Sequence, residues 1–347
     1  MSIDLGFAQK VDPNLRWKLK NKYFPSKIGG KPIFLDLKYL PKSNDLKCLK
    51  CQKMMRFLLQ IYCPIDSKDN AFHRTLFVFC CVDNECNQLK VLRSQLSRNN
   101  PYYSSEAPDY EKDDLSYDPK PELFGHNLCV VCGLDAKKKC SKCLKVSYCS
   151  KEHQIIDWRE GNHKQKCGTN DLKQIEGTLN SGVFPELELT IDSNNSDDDS
   201  EDNDSEMESK QMEKYNELLE KDCPEYQTKN LDKYEDNVSE DQKVFNRFKR
   251  LSSEEVIRYC VYDDNERTEV EPLWISTQNK PNFPIPECQY CGSQRRFEFQ
   301  VMPQLLHQII RSEESLDWGT LVVYTCIQSC ALEDGYKEEY IWRQNVN

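Results

Sequence analysis

Apolar residues along this chain gather in short bursts instead of recurring at helical spacing. The stretches "RFLLQIYC" (56–63), "TLFVFCCV" (75–82), "RFEFQVMP" (296–303) and "GTLVVYTC" (319–326) are rich in aromatic and β-branched side chains and read as strands. "VFPELELTI" (183–191) alternates apolar with acidic positions and predicts one more strand. Two segments read as helices, "SEDQKVFNRFKR" (239–250) and "SSEEVIRYC" (252–260), with Ser252 and Glu255 spaced as a capping box for the second. Residues 104–122 are polar and proline-containing, as a linker is. Residues 192–209 hold nine acidic side chains, no basic ones and almost nothing apolar, so this run is expected to stay disordered.

The strand bursts belong to an internal repeat. Pro32 matches Pro272, Cys48 matches Cys288, Cys51 matches Cys291, Phe57 matches Phe297 and Gln60 matches Gln300, each pair offset by 240. Further on, Cys81 falls against Cys326 and Cys86 near Cys330. Each copy therefore reads as a small β-unit. A C-x-x-C precedes one strand and a second cysteine pair ends another, which predicts a zinc-ribbon-like clasp of Cys48, Cys51, Cys81 and Cys86 in one copy. Cys288, Cys291, Cys326 and Cys330 form the corresponding set in the other. The alternative is that these cysteines simply pack in β-cores. Cys63, Cys80, Cys223 and Cys260 have no evident ligand set and read as core or surface thiols.

Between the copies lies a denser pattern. Cys129, Cys132, Cys140, Cys143, Cys149, His153, His163 and Cys167 are eight metal donors within 39 residues, enough for two closed tetrahedral zinc shells with no open position for a substrate. Two are C-x-x-C knuckles, and Cys149/His153 and His163/Cys167 are each four apart, on one face of a helical turn. Four ligand pairs in a row favour interleaving: Cys129, Cys132, Cys149 and His153 on one ion, Cys140, Cys143, His163 and Cys167 on the other. The order of these ligands, with "YCSKEHQ" and "DW" between them, resembles a MYND zinc finger, with His153 where many such fingers have cysteine. That resemblance implies a peptide-binding module. Gln154 and Trp158 are the candidate peptide contacts; Trp158 could equally pack on the zinc core.

Composition narrows the function classes. The chain has 347 residues, 18 cysteines and a formal net charge of −11. Its first residues lack an apolar signal region and no apolar run approaches membrane-spanning length, so a soluble, intracellular protein is expected, with no membrane partner. In a reducing compartment clustered cysteines point to zinc, two ions in the finger and one in each β-half. From 126 to 168 there are nine basic and four acidic residues; two zinc ions and six thiolates leave +3 (9 − 4 + 4 − 6), a modest excess, and no specific nucleic-acid partner is expected. No nucleophile, base and orienting residue can be assembled, so no enzymatic activity is expected. The acidic run is either an electrostatic feature toward a basic partner or a plain solvated linker. Ser196 and Ser205, each with an acidic residue three positions on, are candidate phosphorylation sites.

Over nearly its whole length the chain resembles the programmed cell death protein 2 family, through "LGFA", "FPSKIGGKP", "FLLQIYCP", "FHRTLFVFCC", the finger, "FPELEL", "PLWIS", "EFQVMPQLL" and "DWGTLVVYTC". The resemblance implies a mainly β fold with minor helix: two similar zinc-ribbon-like halves forming one platform, an inserted MYND finger and an acidic disordered linker. The expected divisions are 1–122 for the N-terminal β-half, 126–168 for the finger, 183–191 for a strand of the platform, 192–238 for the acidic linker and 239–347 for the C-terminal β-half. The resemblance also implies a dedicated chaperone for a nascent small-subunit ribosomal protein, S-two of the universal S-five family, acting between cytoplasm and nucleus in 40S subunit biogenesis. The alternative is a transcriptional co-regulator whose finger grips proline-rich peptides in chromatin complexes. The finger is read as having a core separate from the β-halves.

Overall fold

The computed structural model describes all residues except 1, 84–85, 87, 115–116, 169–181, 193–238, 262–269, 282–283, 311–315, 332–334 and 346–347. The acidic run from 193 on, with Ser196 and Ser205, and Cys223 lie outside the described residues. In chain order the strands are β1 (Ser2–Lys10), β2 (Lys27–Ile28), β3 (Arg56–Tyr62), β4 (His73–Cys80), β5 (Leu89–Leu96), β6 (Lys138–Lys139), β7 (Ser147–Tyr148), β8 (Leu187–Asp192), β9 (Ile257–Val261), β10 (Arg295–Val301), β11 (Thr320–Cys326) and β12 (Lys337–Gln344). The helices are α1 (Lys151–Arg159), α2 (His163–Lys166), α3 (Glu240–Leu251) and α4 (Leu306–Ile309), alongside several 3-10 turns.

The platform is a closed sheet. Ten strands form one barrel in the order β1-β8-β2-β3-β4-β5-β12-β11-β10-β9, with every neighbour antiparallel, and β6 with β7 forms a separate ribbon. Closure depends on β1, which pairs on one edge with β8 (Leu5↔Asp192 to Lys10↔Leu187) and on the other with β9 (Ser2↔Val261 to Gly6↔Ile257). The second junction between the halves is short: β5 meets β12 through Lys337↔Arg93, Glu338↔Leu92 and Glu339↔Val91.

The continuous apolar runs have a direct cause, because the strands are covered on both faces. β4 is buried at every position. Leu59, Ile61, Leu76, Val78, Phe299, Val301, Leu321 and Val323 share the principal core with Trp318. Alternate residues face outward: Phe57, Phe77 and Phe79 pack with Phe34, while Phe297, Val322 and Tyr324 pack with Trp274 and Tyr340.

The repeat seen in the sequence is a repeat of backbone devices. A register shift falls between Phe57 and Leu59 in β3 and between Phe297 and Phe299 in β10, the same place in both copies. Gln60 accepts from Ile33 N (2.8 Å) and donates to Ile33 O (3.3 Å); Gln300 accepts from Leu273 N (2.7 Å) and donates to Leu273 O (3.0 Å). A buried amide at each position thus satisfies both main-chain groups of a segment lying outside the ladder, as an interior backbone requires. The "FPSKIGGKP" and "FPELEL" motifs are likewise halves of one contact. Gly29 has φ +59°, and a Cβ there would stand 2.0 Å from Pro185 O, so glycine is required where the chains cross. Beside that crossing, buried Lys27 pairs with Glu186, which also holds Arg16 at 2.6 Å.

Two expectations are corrected. Helix α3 forms where expected, with Ser239 accepting from Gln242 N (3.2 Å), and Phe248 packing on Leu273, Ile275 and Met302. The segment after it is not a helix: Ile257–Val261 is strand β9, paired with β1 and β10. The capping residues do other work, Ser252 Oγ donating to Phe248 O (2.7 Å) at the end of α3 and Glu255 accepting from Ser253 N (2.8 Å). The β-branched pair Val256–Ile257 is what suits a barrel strand. Nor is the finger's core separate. Cys129, Val131, Cys132, Leu134, Ala136 and Cys149 sit in one apolar cluster with Phe34, Leu46, Phe57, Phe77 and Phe79 of the N-terminal half.

Candidate metal centres

All four C-x-x-C segments fold into the same knuckle. The amide of the residue four after the first cysteine bonds back to that cysteine's carbonyl: Gln52 N to Cys48 O (2.9 Å), Gly133 N to Cys129 O (2.8 Å), Leu144 N to Cys140 O (2.9 Å) and Gly292 N to Cys288 O (2.8 Å). The returning residue is left-handed each time, with φ of 61°, 74°, 56° and 71°. This tight turn aims backbone N–H groups at the first sulfur. Burial raises the Cys48 thiol, yet the amides of Cys51 and Lys50 outweigh it and bring it to about 7. Cys140 is held at about 6 by the amide of Cys143, the His163 ring and the amide of Lys142 against the same burial penalty. The hydroxyl and amide of Ser293 hold Cys291 at about 6. Thiolate is the form that binds metal, so the knuckles of Cys48, Cys140 and Cys291 each hold one sulfur ready for an ion.

The second donor pairs arrive from strand ends and helices. In the finger, Ser150 caps α1 by accepting from His153 N (3.2 Å), which sets His153 one turn beyond Cys149. Four sets of donor atoms converge, each set lying within 4.8 Å: Cys48, Cys51, Cys81 and Cys86; Cys129, Cys132, Cys149 and His153; Cys140, Cys143, His163 and Cys167; and Cys288, Cys291, Cys326 and Cys330. These are the sets that the ligand spacing and the repeat assemble, including the interleaving within the finger.

The donor geometry fits zinc. Two sulfurs on one tetrahedral zinc lie about 3.8 Å apart, given Zn–S bonds of about 2.3 Å. Observed separations are 3.6 Å for Cys51–Cys81, 3.5 Å for Cys132–Cys149, 3.8 Å for Cys140–Cys167, 3.8 Å for Cys288–Cys330 and 3.5 Å for Cys291–Cys326. His153 presents Nδ1, 3.1 Å from Cys149 Sγ, whereas His163 presents Nε2, 3.7 Å from Cys143 Sγ. With four donors per set, the metal these sites suit is coordinatively complete and acts by holding structure. Cys63 and Cys80 lie in the main barrel core and Cys260 in a side cluster, and none of the three belongs to a donor set.

Several residues that matter here carry no motif of their own. Asp157 is fully buried, accepts from Tyr148 OH (2.6 Å) and sets its carboxylate 3.9 Å from His163 Nδ1, on the side of the ring away from Nε2 and the other donors. Gly161 leaves room for it: a Cβ there would stand 2.1 Å from Asp157 Oδ1. His126 Nε2 contacts Lys38 O at 2.9 Å, tying the finger to the N-terminal half. Trp158 packs toward the zinc-ligand side, its ring 5.7 Å from that of His163, while 37% of its surface stays exposed. Ile155, three residues earlier on α1, is also exposed, and Gln154 is half-buried.

Family models match along the chain: the programmed cell death protein 2 N-terminal domain over residues 2–110, the MYND finger over 129–167, and the programmed cell death protein 2 C-terminal putative domain over 242–345. Programmed cell death protein 2 of Mus musculus is 39% identical over 355 residues, covering 99% of this chain and 96% of that protein. Programmed cell death protein 2-like of Homo sapiens is 26% identical over 332 residues, covering 88% and 85%. A Schizosaccharomyces pombe protein named probable 20S rRNA accumulation protein 4 is 22% identical over 356 residues, covering 87% of each chain. No solved structure matches.

Proposed function

Since the chain belongs to the programmed cell death protein 2 family, we propose that it is a non-catalytic escort for a nascent small-subunit ribosomal protein, S-two of the universal S-five family, serving 40S subunit production between cytoplasm and nucleus. The observation that carries this reading is the similarity, over 87% of each chain, to a relative named for 20S rRNA accumulation. Charge supports it: ribosomal proteins are strongly basic, and a chain of net charge −11 attracts such a client while repelling RNA. The site chemistry agrees, because four closed donor sets stiffen a scaffold and leave no coordination position for a substrate. The barrel is filled by its own side chains, which supports a reading in which a macromolecular client is held on the outer surface.

A second reading, a co-regulator that grips proline-rich peptides, draws on the exposed Ile155 and Trp158 of the finger, which share a face of α1. Affinity purification from native lysate, with RNase treatment and mass spectrometry, separates the two. One dominant small-subunit ribosomal protein is the expected result; recovery of a chromatin complex without it would support the second reading instead.

A further inference from the structure

Among the described residues, the cluster of Cys288, Cys291, Cys326 and Cys330 is gripped by side chains of the opposite half. Its loop leaves β11 and turns through Ser329, whose φ of 44° is left-handed. Three main-chain oxygens of that loop are taken by side chains of the opposite half. Lys68 Nζ donates to Ile327 O at 2.9 Å, Asn70 Nδ2 to Ser329 O at 3.1 Å, Gln95 Nε2 to Ser329 O at 3.0 Å and Arg93 Nη1 to Cys330 O at 3.2 Å. Arg93 Nη2 also stands 3.6 Å from Cys330 Sγ, and Lys337 Nζ 3.7 Å from the same sulfur.

The guanidinium is held rigidly for this contact. Arg93 is fully buried and its Nε donates to Glu339 Oε1 at 2.7 Å. Glu339 Oε2 in turn accepts from Arg295 Nε at 3.0 Å and from the backbone N of Cys326 at 3.2 Å. One carboxylate therefore joins a ligand's main chain to the cation that reaches another ligand's sulfur. The charges also close. Arg93, Arg295 and Lys337 supply +3, Glu339 −1, and a zinc ion in four thiolates −2, so these cations offset the charge of a metal-bound cluster (3 − 1 − 2 = 0).

This grip is not inherited from the repeat. In register, Leu76 faces Arg93 as Leu321 faces Arg343, so Arg343 is the counterpart of Arg93. Its Nε is buried with no hydrogen-bond partner. Among the described residues the crossing is seen at the junction of β5 and β12, whose own ladder has three residue pairs.

We propose that Arg93 is a positioning residue for zinc in the other half's cluster, and that this cluster locks the barrel closed at the β5–β12 junction. Loss of the metal frees the 326–330 loop, which removes the acceptors of Lys68, Asn70, Arg93 and Gln95 together, and the junction is left with its short ladder. This inference does not depend on the identity of the client.

The test uses the zinc-loaded full chain, with thiol alkylation mapped by mass spectrometry and hydrogen exchange as readouts. Arg93→Met should speed alkylation of Cys288, Cys291, Cys326 and Cys330 about tenfold, in the range expected for removing a group that supports a metal ligand, and leave Cys48, Cys51 and the finger cysteines unchanged. Asn70→Ala, on an exposed loop where folding is safe, should give the same pattern at roughly fivefold, the value of one hydrogen bond. In the converse direction, Cys330→Ser should raise hydrogen exchange in 91–93 and 337–339 more than in β3. If either substitution at 93 or 70 accelerates all four clusters equally, or none, or if Cys330→Ser leaves exchange at 91–93 unchanged, the proposal is overturned. Should Arg93→Met fail to fold, Asn70→Ala and Cys330→Ser decide it.

Discussion

Glycine occupies the left-handed position in two of the four metal knuckles, Gly133 and Gly292, while Gln52 and Leu144 accept the same backbone conformation without it. The two glycines are not equivalent. A Cβ on Gly292 meets nothing within 4 Å, so Gly292→Ala should cost only the left-handed penalty, about 1 kcal/mol. A Cβ on Gly133 would stand 2.8 Å from Lys31 Cβ, where the finger sits on the N-terminal half, so Gly133→Ala should cost clearly more. Denaturant unfolding of zinc-loaded protein checks the order; equal costs would refute it. His73 gives a second prediction at this scale. It opens β4, accepts from or donates to Tyr62 OH at 2.9 Å, stacks on Phe24 at 4.5 Å and leaves Nε2 buried without a partner. Burial, followed by the Arg98 charge, pushes its pKa down to about 4. A base with a depressed folded pKa binds more protons when unfolded, so its neutral form supports the fold above about pH 6.5, and stability falls as pH drops from there to about 4. His73→Gln should flatten that part of the stability profile; an unchanged slope would contradict the assignment. Spacing reveals the donor sets here because donor pairs that share a turn must be close in sequence. Asp157, Tyr148 and Arg93 left no such trace, since their contacts come from folding.

Among the elements, the strands of both repeats were legible because burial on both faces turns them into unbroken apolar runs. β9 looks like a helix in the sequence because Ser252 and Glu255 imitate a helix start, whereas Val256 and Ile257 are held by β1 at Gly6, near the start of the chain. The finger was recognisable as a unit, yet its seat was not, because the apolar residues it shares with Phe34, Phe57 and Phe79 look like ordinary core in a linear reading. That seat alters what zinc loss should do. Cys132→Ser removes a ligand from the ion nearest the shared cluster and forfeits much of a metal contribution on the order of 10 kcal/mol. Hydrogen exchange should then rise in β3 and β4 as well as in the finger. Cys143→Ser, at the other ion, should perturb β3 and β4 less, because Cys140, Cys167 and Tyr148 belong to a separate small cluster. Protection of β3 and β4 that is indifferent to Cys132→Ser would show that the finger is merely tethered.

At the scale of the molecule, four donor sets hold a barrel whose closing contacts are long-range: β1 pairs with β9, and β5 with β12. Such pairings carry no local pattern, which is why the repeat shows two β-halves and the resemblance joins them into one platform, while the closure of that platform into a ring leaves no trace in the sequence. Elemental analysis should find close to four zinc ions per chain, one for each donor set. One or fewer would overturn the structural role given to the metal. The escort reading puts the client on the barrel, with the finger's α1 face as an accessory. It is tested most directly by co-expressing the small-subunit ribosomal protein with three forms of this chain and measuring how much of it stays soluble. The full chain and an Ile155→Ala/Trp158→Ala double variant, which leaves the finger's ligands untouched, should both keep the client soluble, whereas a chain ending at residue 269, without β10, β11 and β12, should not. Loss of the client with the double variant, together with retention by the shortened chain, would contradict the account and transfer the binding role to the finger.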